Sequence, residues 1–332
     1  MLRLDFATPA DLAHCRQMIR QGSRSFHLAS LLLPANVREY ARALYGFCRM
    51  ADDLVDHSDN AAEAVATLAR RLDLIYAGEP VESPTDRAFA DVARRFGIPR
   101  SVPDALIEGF AWDANRRRYD TLSDVVAYGV RVAGTVGVMM SLIMGQRNPN
   151  ALARAIDLGV AMQLSNIARD LEEDAKLGRV YVPGDWLREK GCTPKDVLGN
   201  AACAADAASR LVTEAEQLYM RARAGIAMLP RSCRASINAA RLLYREIGCL
   251  AARQGHRGRA VVGGRRKAAL VLRAIAEVPA LPRSSEVPCL PEGQFLIDDV
   301  VKTPLPPSPY QGLGGQMGWV IDMLMAVEAR KQ

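Results

Sequence analysis

The sequence predicts an all-α protein, and composition is the first reason. Of its 332 residues, 49% are hydrophobic but only 6% are aromatic, and Ala, Leu and Arg dominate. Short β-branched runs bounded by turn residues, the usual sign of strands, are few. No Pro-, Gly- or Ser-rich segment between about residues 36 and 277 is long enough to be a linker. We therefore expect one helical domain over this range.

Ten helices are expected along the chain. They lie near residues 9–21, 36–57, 60–77, 84–96, 102–117, 122–145, 149–177, 202–229, 231–254 and 265–277. Local signals support the boundaries: Gly145 suits a C-cap, Gly178 ends the helix that begins near 149, and Pro183, Pro194 and Pro230 mark breaks between helices. The predicted core is a bundle of these helices.

The composition changes after residue 277. From Pro279 to Pro309 the chain is rich in proline, which cannot continue a helix, so we expect an extended or disordered linker. The predicted organisation is a domain over residues 1–277 and a linker with a C-terminal tail over 278–332. The glycines of 312–318 follow a Pro-rich run rather than a strand, which argues against a dinucleotide loop. A short amphipathic helix from Trp319 is the preferred interpretation.

Two acidic pairs stand out. Asp52 with Asp56, and Asp170 with Asp174, are each spaced four residues apart, so each pair shares one helix face. Carboxylates at this spacing repel unless a cation lies between them. Hard oxygen ligands suit Mg²⁺ or Mn²⁺, and Mg²⁺ usually shares its remaining sites with water and substrate phosphates. A single such pair is also common on solvated helix faces.

The neighbours of the acidic pairs favour the metal interpretation. Gln163 and Asn166 precede Asp170 at steps of three and four, so amide groups continue the acidic stripe. Tyr45 and Arg49 precede the first pair in the same way, and Arg meets phosphate oxygens with a planar, permanently charged fork. An intrahelical salt bridge is the structural alternative for Arg49. Together the two stripes predict a metal-dependent site for a phosphate or diphosphate.

Charge and cysteine content restrict the other classes. The formal charge is +6, from 43 Lys plus Arg and 37 Asp plus Glu, which favours anionic substrates or membrane surfaces. The basic clusters at 116–118 and 265–267 lack interleaved aromatics, which disfavours nucleic acid. Seven cysteines without a C-x-x-C pair, and no secretory signal, predict a cytoplasmic protein with reduced thiols. A membrane-spanning helix needs about eighteen consecutive apolar residues, and no run in the sequence reaches that length.

Five motifs in order resemble the squalene and phytoene synthases, which join two prenyl diphosphates head to head. These motifs are 22–27 (GSRSFH), 45–49 (YGFCR) followed by Asp52 and Asp56, Tyr128 with 131–137 (RVAGTVG), 163–174, and 179–183 (RVYVP). The resemblance covers about residues 15–277. It implies a single-domain isoprenoid synthase bundle around a central cavity.

The resemblance also implies roles for individual residues. The implied Mg²⁺ ligands are Asp52, Asp56, Asn166, Asp170 and Asp174. The implied diphosphate contacts are Ser23, Arg49, Gln163, Asn166 and Arg265. The implied catalytic positions lining the cavity are Tyr45, Arg49, Tyr128, Tyr181 and Tyr244. Ordinary packing is the alternative for the tyrosines, since a Tyr at helical spacing is more often part of a core.

Segments 25–30, 109–113 and 117–119 most resemble bacterial phytoene synthases. The expected reaction is condensation of two geranylgeranyl diphosphates to phytoene through prephytoene diphosphate, with release of diphosphate and without NADPH. One alternative is a presqualene diphosphate or dehydrosqualene synthase that uses farnesyl diphosphate. Another is a non-catalytic assembly factor of the same fold, whose mark would be loss of the acidic ligands. Residues 319–331 are the candidate contact with the inner membrane, and no oligomeric state is indicated.

Overall fold

The computed structural model describes residues 4–254, 260–277 and 288–304. Within these ranges the chain forms fifteen α-helices and no β-strand. The helices are α1 Pro9–Gly22, α2 Arg24–Ser30, α3 Ala35–Asp56, α4 Ala61–Ala77, α5 Pro84–Phe96, α6 Ser101–Ala114, α7 Leu122–Gly129, α8 Thr135–Ile143, α9 Pro149–Lys176, α10 Gly184–Glu189, α11 Asp196–Gly199, α12 Ala201–Met228, α13 Arg231–Gln254, α14 Gly264–Ala276 and α15 Gln294–Lys302. The all-α prediction is confirmed.

The helix α9 illustrates how local sequence sets the boundaries. Asn148 caps it, because its side-chain oxygen accepts a hydrogen bond from the backbone N–H of Asn150 at 2.9 Å. Pro149 occupies the first turn, where its missing N–H costs no hydrogen bond. Beyond the C-terminal end, Gly178 adopts a φ of 79°, a left-handed conformation that glycine reaches without strain. The ten predicted helices are all present, with boundaries shifted by at most three residues.

The core is built around α9, which packs against α8, α12 and α13. Its residues Val160 and Leu164 are fully buried. Close approach to α8 depends on Gly137, since a Cβ there would lie 2.5 Å from the carbonyl oxygen of Ala155. This separation is shorter than any real Cβ contact, so glycine is required for the two helices to pack as they do.

A π-helical turn, Val130–Gly134, joins α7 and α8 into one helix, Leu122–Ile143. This helix has 22 residues, and its most apolar 18-residue window has a mean hydropathy of 1.6, so it could cross a membrane by length and composition alone. It is not an uninterrupted apolar run, because it carries Asp124 and Arg131. Of that window, 61% is buried inside the protein, and the helix packs against α6 and α9 as a core element.

The structure adds four helices that the sequence did not predict, the short α2, α10 and α11 and the C-terminal α15. The last of these contradicts the expected extended linker, because Leu296, Ile297 and Val300 of α15 are buried against the bundle. Arg154 donates a hydrogen bond to the carbonyl of Pro288 at 3.0 Å and anchors the approach to α15. The glycines of 312–318 and the expected helix from Trp319 lie outside the described residues.

Candidate active site

The two acidic pairs lie at the C-terminal ends of α3 and α9. Arg179, which follows α9, connects these ends by donating a hydrogen bond from Nη2 to Oδ1 of Asp56 at 2.8 Å. The same guanidinium influences Asp174 and Asp113 electrostatically. The tertiary structure thus brings together carboxylates that are more than one hundred residues apart in sequence.

Burial and like charge raise the pKa of two of these carboxyl groups. The pKa of Asp52 rises to about 6, mainly through burial and then through the neighbouring carboxylate of Asp56, although Arg49 opposes the shift. The pKa of Asp174 rises to about 7, mainly through burial and then through Asp170. The ionised forms of Asp52 and Asp174 are therefore disfavoured in this site, and a bound cation would stabilise them.

The donor set fits a hard divalent cation. The Oδ1 atom of Asn166 is buried and has no hydrogen-bond partner among the described residues, so an oxygen donor is left available beside the cavity. Within the same residues, no three His, Cys, Asp or Glu side chains stand close enough together to hold a metal alone. Carboxylate and amide oxygens completed by water and substrate phosphate are the usual coordination of Mg²⁺.

Three arginines flank the acidic groups. Arg49 contacts Asp53 at 2.6 Å and Asp52 at 3.3 Å within α3, so the intrahelical salt bridge that was the structural alternative for Arg49 is present, and Arg49 also lines the cavity. Arg169 pairs with the adjacent Asp170 and also lines the cavity. Only Arg49 was predicted as a site residue, although Arg169 and Arg179 lie inside the motifs that carried the family resemblance.

A half-buried carboxylate, that of Asp113, binds two of the predicted tyrosines. Asp113 accepts a hydrogen bond from the hydroxyl of Tyr128 at 2.8 Å and from that of Tyr181 at 2.6 Å. The two rings stack with centroids 4.8 Å apart, and the Tyr119 ring packs against both. Burial raises the pKa of Asp113 and of all three phenols. Sequence reasoning assigned no role to Asp113, although it ends the motif 109–113.

The remaining predicted tyrosines meet across α2. The ring of Phe26 lies 4.8 Å from that of Tyr244 and 6.3 Å from that of Tyr45, measured between centroids. Ser23 caps α2 by accepting a hydrogen bond from the N–H of Phe26 at 3.2 Å. Burial raises the pKa of Tyr244 to about 12, so this phenol is neutral near pH 7.

These groups surround a cavity of about 550 Å³. Eight predicted site residues line it: Ser23, Tyr45, Arg49, Asp52, Tyr128, Gln163, Asn166 and Tyr244. Asp56, Asp170, Asp174 and Tyr181 lie outside its lining but contact or influence residues of the site. Apolar side chains form much of the remaining wall, including Leu33, Phe110, Val136, Met140, Met144 and Leu229.

The structure does not bring Arg265 to the cavity. This residue lies in the first turn of α14, is exposed, and is not among the residues that line the cavity. The helix α14 packs on the outside of α13, and α13 supplies Ala240 and Tyr244 to the cavity wall. A direct diphosphate contact from Arg265 is therefore not supported by this arrangement.

Solved structures identify the class of the protein. A dehydrosqualene synthase crystallised with a ligand matches with a TM-score of 0.73 and 28% identity, covering 80% of this chain and 96% of its own. A squalene synthase from Alicyclobacillus acidocaldarius matches with a TM-score of 0.67 and 27% identity, covering 74% of this chain and 95% of its own. The fold is that of the all-α isoprenoid synthases.

Sequence comparison identifies the family. The sequence profile of squalene/phytoene synthase matches residues 19–267. The phytoene synthase of Rhodobacter capsulatus is 46% identical over 97% of both chains, and that of Cereibacter sphaeroides is 48% identical over 74% of this chain and 73% of its own. The chain belongs to the squalene/phytoene synthase family. It is a prenyltransferase-type enzyme, most similar to bacterial phytoene synthases, and its substrate is an isoprenoid diphosphate.

Proposed function

We propose that this enzyme joins two molecules of geranylgeranyl diphosphate head to head, forming phytoene through prephytoene diphosphate and releasing diphosphate. The observation that carries the proposal is the cavity, whose lining combines charged groups such as Arg49 and Asp52 with a largely aliphatic wall. The charged groups suit a diphosphate, and the aliphatic wall suits a prenyl chain. The similarity to phytoene synthases over nearly the whole chain supports the same product.

We further propose that the cofactor is Mg²⁺, with Mn²⁺ as a substitute. The residues that would hold it are Asp52, Asp56, Asn166, Asp170 and Asp174, for which the unpartnered Asn166 oxygen and the raised carboxyl pKa values are the supporting observations. When bound, the metal would neutralise charge that develops on the diphosphate as its carbon–oxygen bond breaks.

The chain's own cations supply the other part of diphosphate recognition. Arg49 and Arg169 both line the cavity, and their guanidinium groups are oriented by neighbouring carboxylates. A guanidinium can bind two phosphate oxygens at once and stays charged throughout the reaction. Gln163, also on α9, adds a side-chain amide to the cavity lining. These groups position each leaving diphosphate and hold it after departure.

The aliphatic wall protects the allylic cation that remains. Attack by the double bond of the second substrate and loss of a proton close a cyclopropane ring, and a second ionisation leads to the 1,1′-linked product. Water would capture either cation, so the wall contributes by excluding it. Burial keeps the phenols of Tyr128 and Tyr181 neutral, and both already donate to Asp113. The released diphosphate is therefore the better candidate for the base.

The cavity wall also supports the longer substrate. Ser30 lies one turn beyond Phe26 on α2 and lines the cavity, where a small side chain leaves room for a long prenyl chain. The proposed final step eliminates a proton, so it requires no reductant. NADPH is therefore not part of the proposed cofactor set.

Product analysis tests the proposal. Purified enzyme with Mg²⁺ is incubated with geranylgeranyl or farnesyl diphosphate, each with and without NADPH, and the extracted hydrocarbons are separated by chain length. We expect a C40 hydrocarbon from geranylgeranyl diphosphate without NADPH. A C30 hydrocarbon from farnesyl diphosphate with no C40 product would overturn the substrate assignment. Asp52→Asn and Asp170→Asn variants serve as inactive controls, and full biological effect from them would instead support a non-catalytic role.

A further inference from the structure

The helix α14 exposes large apolar side chains on the outside of the bundle. Leu270 and Ala274 bury one face of this helix against the protein. On the other side, Leu272 is 67% exposed and Ile275 is 48% exposed, and Val261 just before the helix is 70% exposed. The described residues contain nine exposed large hydrophobic side chains, and three of them lie within residues 261–275. Such a concentration of exposed apolar side chains indicates an interaction surface.

The same surface is strongly basic. We define the basic face by eight cations on α14, which carries the apolar patch, and on the neighbouring helices α12 and α13, namely Arg223, Arg241, Arg245, Arg253, Arg265, Arg266, Lys267 and Arg273. Among the described residues, three carboxylates pair with members of this set, namely Glu216 with Arg245, Glu246 with Arg266, and Glu277 with Arg273. Eight cations against three paired carboxylates leave a surplus of positive charge.

Several cations of the basic face lie close enough to repel one another. The pKa of Arg241 is lowered to about 10, first by burial and then by repulsion from Arg223, Arg245 and Arg273. These residues come from three different helices, so the packing of α12, α13 and α14 creates the positive region. An anionic partner would reduce this repulsion.

We propose that the basic face, together with Val261, Leu272 and Ile275, docks the enzyme on an anionic lipid bilayer. The proposal rests on the proposed function in one respect, because prenyl diphosphates and a C40 hydrocarbon reside in membranes. A bilayer matches both halves of the surface, since phosphate headgroups attract Arg and Lys while the acyl boundary accepts aliphatic side chains. A nucleic acid would match only the charge, because the exposed apolar side chains are aliphatic rather than stacking aromatics.

The location of this surface suits delivery of a lipid substrate. The helix α13 presents Ala240 and Tyr244 to the cavity, and it contributes Arg241 and Arg245 to the basic face. One helix therefore separates the docking surface from the site where the prenyl chain would lie. Enzyme bound through this face would hold its cavity next to the membrane.

Vesicle sedimentation of the full-length chain tests the proposal. Vesicles of phosphatidylcholine alone are compared with vesicles that also contain phosphatidylglycerol. We expect the protein to sediment with the anionic vesicles only, and to be released when salt shortens the Debye length to about 3 Å at 1 M. The double variant Leu272→Glu with Ile275→Glu should lower the partition coefficient at least about tenfold. Equal binding to both vesicle types would overturn the proposal.

A matched control distinguishes loss of this docking surface from a general effect of replacing exposed apolar side chains by glutamate. The double variant Leu74→Glu with Val301→Glu introduces the same charges at exposed apolar positions on α4 and α15, away from the basic face, and should bind vesicles like the unmodified protein. Unchanged binding by the α14 variant would overturn the proposal and point to another segment, including 319–331. Loss of binding in both variants alike would also overturn it.

Turnover in detergent distinguishes this proposal from the proposed function. Micelles deliver the substrate without a bilayer, so the α14 variant should keep its detergent activity while it loses vesicle binding. The milder pair Leu272→Ser with Ile275→Ser covers the case in which the acidic variant fails to fold, and it should weaken vesicle binding in the same direction. Retention of RNA on the basic face without vesicle binding would overturn the membrane assignment.

Discussion

Replacing Asp113 by Asn tests whether this half-buried carboxylate positions the predicted catalytic tyrosines Tyr128 and Tyr181. Each oxygen of Asp113 accepts one phenolic hydrogen bond, from Tyr128 at 2.8 Å and from Tyr181 at 2.6 Å. Asparagine keeps the shape but replaces one acceptor oxygen with an NH₂ donor. One of the two phenols therefore loses its acceptor and must rotate or remain unsatisfied.

The expected loss follows from the cost of an unsatisfied buried group. Such a group costs about 1–3 kcal/mol, which corresponds to about a 5- to 160-fold fall in kcat if the reactive arrangement depends on the hydrogen bond. Stability should behave differently. Burial raises the pKa of Asp113, so the ionised carboxylate is disfavoured in the folded protein, and asparagine removes that penalty above this pKa. The two effects oppose each other, and we expect little change in Tm at pH 8.

The assay combines steady-state kinetics on the prenyl diphosphate with thermal unfolding of the same samples. Tyr119→Phe is the matched control, because the buried hydroxyl of Tyr119 has no hydrogen-bond partner among the described residues and its removal should leave kcat unchanged. Tyr181→Phe should reduce kcat, and its effect should shrink in the Asp113→Asn background because the two residues share one interaction. An Asp113→Asn enzyme with kcat close to that of the unmodified protein would refute the reasoning.

Three further predictions address the metal site, the core and the substrate. The raised pKa values of Asp52 and Asp174, about 6 and about 7, mean that protons compete with metal, so the Tm gain from Mg²⁺ should be larger at pH 8 than at pH 6. Without metal, the same shifts make the folded state bind more protons than the unfolded state, so their contribution to stability is fully present below about pH 4 and is lost as the pH rises through the folded pKa values to about 7. A Tm gain independent of pH would contradict this assignment. Gly137→Ala should lower the free energy of unfolding by about 1–3 kcal/mol, measured by denaturant unfolding, because its Cβ would clash with the carbonyl of Ala155. Gly199→Ala is the control, since its Cβ meets open space and should not destabilise the fold. Equal destabilisation by both variants would exclude close helix packing as the cause. Ser30→Phe should lower the ratio of C40 to C30 product when both diphosphates are supplied, while Ser30→Ala should preserve it, and an unchanged ratio for the Phe variant would remove Ser30 from the chain-length argument.

Much of the fold was predictable because helices are encoded locally. Apolar periodicity, caps and breaks placed ten helices, and α9 begins and ends within a residue of its expected boundaries. The failures also have local causes. The Pro-rich composition predicts no regular structure after residue 277, but Pro291 begins a 3-10 turn that leads directly into α15. Burial of Leu296 against the bundle, which a local pattern does not reveal, stabilises that helix.

The candidate site was predictable where one helix carries the signal. Arg49 with Asp52 on α3, and Gln163 with Asn166 on α9, share a face by spacing alone, and all four line the cavity. Arg265 does not line the cavity, and spacing could not have shown this because its position depends on how α14 packs on α13.

By itself, the sequence determined the helices, the two acidic stripes and the family, because each of these depends on residues within a few turns of one another or on motifs in fixed order. Only the tertiary structure decided which distant groups meet. It placed Asp113 between Tyr128 and Tyr181, connected the ends of α3 and α9 through Arg179, and brought cations of α12, α13 and α14 close enough to influence one another. The physical reason is that spacing along one helix fixes a face, whereas the partner of that face is set by packing of the whole core.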